Sequence, residues 1–93
     1  MNISEAIQFL QGNETVKLIA SQQGKLGIEG ERREIQKALA DLFKEAAPCG
    51  GCPEDNDYVE FCKIVNAFMS FEIVSSGMRN IWLFESIPFT ENK

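Results

Sequence analysis

The sequence contains no histidine. Imidazole is the one side chain whose ordinary titration falls between about pH 5 and 8, so its absence removes several chemistries together. Ser-His-Asp and Cys-His nucleophilic systems, imidazole-ligated zinc and histidine proton transfer are all excluded. Positive charge is also scarce: nine Lys plus Arg stand against fourteen Asp plus Glu, for a net charge of -5. Ordinary nucleic-acid binding needs a basic stripe that releases counterions from phosphates. The closest approach is Arg32-Arg33 with Lys37, interleaved with Glu31 and Glu34, which reads as a solvated helix face of mixed charge. A protein with a basic surface is the better partner, and direct nucleic-acid binding is not expected.

No segment approaches the roughly 18 consecutive apolar residues of a membrane span. The opening MNISEAIQFLQGNE has neither the basic n-region nor the apolar core of a signal peptide. The expected compartment is a reducing cytoplasm, and the odd count of three cysteines agrees, since secreted disulfide frameworks normally use even numbers. A phosphate-binding loop is missing too: Gly24, Gly27 and Gly30 are not followed by Lys-Ser/Thr. The acidic run PEDNDYVEF does not match a calcium-binding EF-hand loop. No catalytic constellation emerges, no cofactor is implied, and an enzyme is not expected.

What the chain does have is enough to fold. Ninety-three residues with 44% hydrophobic and 25% charged content match one ordinary globular domain. Seven Phe and a Trp argue against disorder. SEAIQFLQ predicts a short helix with Ser4 as its N-cap, ended by Gly12-Asn13. TVKLIAS and KLGIE alternate around QQG and predict a β-hairpin, with Val16, Leu18 and Ala20 on one face. From Glu31 to Ala47, Ile35, Leu39, Leu42 and Ala46 recur at helical spacing with Ala38 and Phe43 beside them, until Pro48 ends the helix.

Tyr58, Phe61, Cys62, Val65, Phe68 and Met69 predict a further helical stripe, with Asp57 and Glu60 at the spacing of a variant capping box. Phe71 to Ser75 and Asn80 to Ile87 then form a second hairpin turning about Gly77. The order α-β-β-α-α-β-β implies an α+β fold: a mostly antiparallel four-stranded sheet with the helices packed on one face.

Two stretches carry functional interest. In IWLFES, Ile81 and Leu83 point one way and Trp82 and Phe84 the other. A sheet covered on one face leaves one pair exposed as a partner surface, whereas a central strand covered on both faces leaves none. Trp82 and Phe84 are the expected protein-binding anchors, because aromatics dominate binding energy at interfaces. Glu54, Asp55, Asp57 and Glu60 would steer a basic partner toward them. A homodimer through the C-terminal hairpin is a second use of the same residues.

The other stretch, APCGGCPEDNDYVEFCKIV, holds Cys49, Cys52 and Cys62 in a C-x2-C-x9-C pattern. Structural zinc needs four ligands, and with no histidine the fourth would be a carboxylate or come from another chain. Cys62 falls on the apolar stripe, where a thiol acts as a small hydrophobe. Only Cys49 and Cys52 remain as a redox or metal pair, and the nearby acids would raise a thiol pKa rather than lower it. Pro48, Gly50-Gly51 and Pro53 account for the same stretch as a connection between helices. The expected function is therefore a small acidic regulator or inhibitor, of the kind a mobile element can encode to occlude a nucleic-acid-binding surface. A thiol-redox or metal protein is the alternative.

Overall fold

The computed structural model describes residues 1–48, 55–75 and 77–90. Helix α1, Ile3–Gln11, starts earlier than expected because Asn2, not Ser4, is its cap. Asn2 Oδ1 accepts from the Glu5 amide at 2.9 Å, and Glu5 Oε1 accepts from the Asn2 amide at 3.2 Å. This reciprocal pair satisfies two helix-end donors, which Ser4 has no partner to match. Ala6 and Leu10 bury the inner face.

Strands β1 (Lys17–Ala20) and β2 (Lys25–Gly30) form the first hairpin. Its turn is closed by Ser21 Oγ, which accepts from the amides of Gln23 and Lys25, and by Gly24 at φ 73°, a conformation that suits glycine. Helix α2, Arg32–Ala46, buries Ile35, Ala38, Leu39 and Leu42.

Helix α3, Asp55–Met69, is rotated relative to the predicted stripe. Ile64 and Phe68 are its fully buried residues, while Tyr58, Cys62 and Met69 are exposed. The helix is apolar over a wide arc, so periodicity alone leaves its rotation open and packing against the sheet decides it. Asp57 is the third residue of this helix, not its cap.

Strands β3 (Glu72–Ser75) and β4 (Asn80–Pro88) form the second hairpin. The sheet order is β1-β2-β4-β3 and every pairing is antiparallel. Leu18, Ile28, Trp82 and Ile73 share one row across the sheet, and Ala20, Leu26 and Phe84 share the next. These rows face the helices, and Leu26, Ile28, Trp82 and Phe84 are buried there. The fold is thus α+β with the helical layer on one side.

On the other side, Ile19, Ile81 and Leu83 are half-buried. Ile19 lies across Gly27, where an added Cβ would meet its Cγ1 at 2.9 Å. Near its end β4 carries extra residues: Leu26 pairs with Phe84 but Lys25 with Pro88. The irregularity sends Ile87 into the core, and the Phe89 amide then donates to Gly24 O at 2.8 Å.

Candidate functional site

Strand order makes β3 an edge, so among the described residues one side of its backbone has no strand beside it. All four of its residues are exposed, including Ile73 at 48% and Val74 at 52%. Met69, the last residue of α3, is 61% exposed and lies just ahead of the strand. An edge lined with apolar side chains is a template for pairing with another chain. Its natural guards are modest here: the strand is short, begins with Glu72, and shifts register between Ile73 and Ser75.

Behind this edge lies a groove of about 260 Å³, lined by Gln36, Leu39, Ala40 and Phe43 of α2 together with Met69, Phe71 and Trp82. Phe71 and Trp82 stack in parallel, and Phe71 also meets Phe84 at 5.6 Å between ring centroids. Trp82 is only 3% exposed, yet its indole N–H has no acceptor. It is the one buried side-chain nitrogen or oxygen in that state among the described residues. Buried indole N–H groups usually find a partner. Leaving one unpaired costs about 1–3 kcal/mol.

The expected anchors are therefore corrected. Trp82 and Phe84 belong to the core: they sit on the helix-facing rows, and Phe84 packs on Phe68 with centroids 5.4 Å apart. Neither presents a side chain for a partner to cover. Their strand neighbours Ile81 and Leu83 occupy the open face, but only half-buried. Exposure is greater at Met69, Ile73 and Val74, which the sequence reading placed inside a helix and a strand. The signal that could have found them was topological: the four-residue strand next to the longest one ends at the sheet margin.

The acidic residues are not brought to this edge. Glu54 lies outside the described residues, and Asp55 opens α3. Asp57 is exposed, but Met69 follows it twelve residues later on the same helix. That spacing amounts to about 18 Å of rise. Glu60 is 3.7 Å from Lys63, an exposed pair one turn apart that contributes little. Glu72 is the acid that sits on the edge itself.

Cys49 and Cys52 lie outside the described residues. Cys62, expected in the core, is exposed and free. Among the described residues no group of three or more Cys, Asp or Glu is placed to hold a metal ion. A second groove of about 610 Å³ runs between α3 and the irregular end of β4, with Lys63, Asn66 and Ser86 among its lining residues. No helix among the described residues is long and apolar enough to cross a membrane.

Comparison of the chain with protein families, curated proteins and solved structures returns no match.

Proposed function

We propose that this chain is a non-enzymatic binding module that engages another protein through the β3 edge. The observation that carries this reading is the exposed apolar pair Ile73 and Val74 on the edge strand β3, with exposed Met69 just ahead of it. A partner segment in extended form adds a strand there: main-chain hydrogen bonds supply affinity, and alternate side chains contact Ile73 and Met69. The net charge of -5 favours a partner with a basic surface, by raising the rate of encounter rather than by contacts at the edge. An acidic binder of this size in the cytoplasm acts as a regulator or inhibitor, by covering a basic surface that nucleic acid would otherwise occupy. A second copy of the chain, paired through the same hairpin, is the other occupant the edge admits, without the electrostatic attraction that a basic partner has.

Val74→Lys tests the reading. A lysine on an edge strand blocks further pairing while remaining well solvated, so the fold is retained. Proteins captured by the wild-type chain should be lost with Val74→Lys and kept by Gln23→Lys, which places the same charge on the distant β1–β2 turn. Equal capture by both variants would contradict the reading. Sedimentation of the isolated chain separates a second copy from a different protein.

A further inference from the structure

We infer that the groove between α3 and the end of β4 is a binding site for a small monocarboxylate with an apolar body, of the arylalkanoate class. It shares no residue with the β3 edge and does not rest on the use of that edge. Two independent observations meet there. The first is charge. Fourteen Asp plus Glu outnumber nine Lys plus Arg in this chain, yet among the described residues that line the groove Lys63 is the only charged one. Asn66 and Ser70 follow it at three- and four-residue spacing, so three hydrogen-bond donors stand along one side. Glu60 approaches Lys63 only to 3.7 Å. A charge-assisted hydrogen bond closes to about 2.7–2.9 Å, so the ammonium keeps donors for an anion.

The second observation is the backbone that shapes the groove. Leu26 pairs with Phe84 but Lys25 with Pro88, and irregularities of this kind are common beside functional sites, where they re-aim a side chain. Here the irregularity turns Ile87 inward as an apolar wall and leaves Ser86 exposed at the rim, across from Lys63. The space of about 610 Å³ lies within the roughly 300–1,000 Å³ of ligand pockets. A carboxylate with an apolar body answers both features: its head meets Lys63 and Asn66, and its body covers Ile87 and Pro88. One cation matches one negative charge. A polyphosphate would bring further charge into the field of a chain of net charge -5, with no lining cation to meet it.

The test is to titrate the ¹⁵N-labelled full chain with 4-phenylbutyrate and, in parallel, with 4-phenylbutyramide, which keeps the body and removes the charge. Backbone amide resonances of Lys63, Asn66, Ala67 and Ser86 should move saturably. The carboxylate should bind about fivefold more tightly than the amide, the upper end for one exposed charge pair. Lys63→Gln, at an exposed position, should remove that preference, and Glu60→Gln should widen it by freeing the ammonium. Lys37→Gln makes the same charge change on α2 and should leave the preference intact. Ser86→Leu fills the groove from an exposed strand position and should weaken both compounds. Val74→Lys should leave the titration unchanged, so failure of this site and failure of the edge reading are separable. Equal affinity for the two compounds, resonance shifts confined to another surface, or a preference that survives Lys63→Gln would overturn the inference.

Discussion

Phe71 and Trp82 stack with ring centroids 4.4 Å apart and planes within 2° of parallel. Phe71 stands just before β3 and Trp82 in the middle of β4, so the pair pins the start of the edge strand to the core. Burial of Phe71 is partial, and full removal of a buried Phe costs about 3–5 kcal/mol. Phe71→Ala should therefore destabilise the fold by about 2–3 kcal/mol, and Phe71→Leu by less. Urea unfolding followed by Trp82 fluorescence measures this, and the native emission of Phe71→Ala should shift to the red as water reaches the indole. An unchanged midpoint would mean that the stack adds nothing.

Gly24 isolates a backbone effect. Its φ is 73°, and a Cβ there would meet no atom within 4 Å, so any loss on substitution is conformational rather than steric. Gly24→Ala should cost about 1 kcal/mol, and Gly24→Asn less, because Asn tolerates the left-handed region better. Equal stabilities for the two variants would contradict this.

Gly27 shows the opposite case. There a new Cβ would lie 2.9 Å from Ile19 Cγ1, and a β-branched side chain gives way poorly. Gly27→Ala alone should cost about 1–2 kcal/mol. In the Ile19→Ala background the same change should cost about 1 kcal/mol less, because the obstruction is gone. Additive effects across this double-mutant cycle would show that the two residues do not collide.

Much of the architecture could be read from the residues. Alternation in KLIA placed the first hairpin, two strand-like runs about Gly77 placed the second, and the Ile35-Leu39-Leu42 spacing placed α2 to within a residue at each end. Local patterns set these elements, so local reading suffices. What escaped it depends on tertiary contacts. In IWLF both alternating sets are apolar, so only the packing of α1, α2 and α3 on one side of the sheet assigned Trp82 and Phe84 to the core. The apolar arc of α3 is likewise too broad to fix which residues turn inward, and Cys62 went outward. The groove was invisible for the same reason, since it forms where α2, Met69 and Phe71 meet around one residue of β4.

The cysteine alternative yields a clean prediction. Under the binding-module account, protein purified in reducing conditions carries no stoichiometric metal, and Cys49→Ser with Cys52→Ser leaves stability within about 0.5 kcal/mol of wild type. Elemental analysis and urea unfolding check both. Metal at one equivalent, lost with the fold in the double variant, would move the account to the thiol pair. Cys62, being exposed, should alkylate in that double variant under native conditions.

Strand addition at β3 is tested most directly by amide hydrogen exchange at residues 72–75, in the free chain and with a partner recovered by capture. The outward amides of an uncovered edge exchange readily, and those of an interior strand do not. Protection at Glu72–Ser75 should rise at least about tenfold on binding and return to the free value when Val74→Lys replaces the wild type. Protection that rises instead on the Ile19–Leu83 face or in the first turns of α3, with β3 unchanged, would contradict the account.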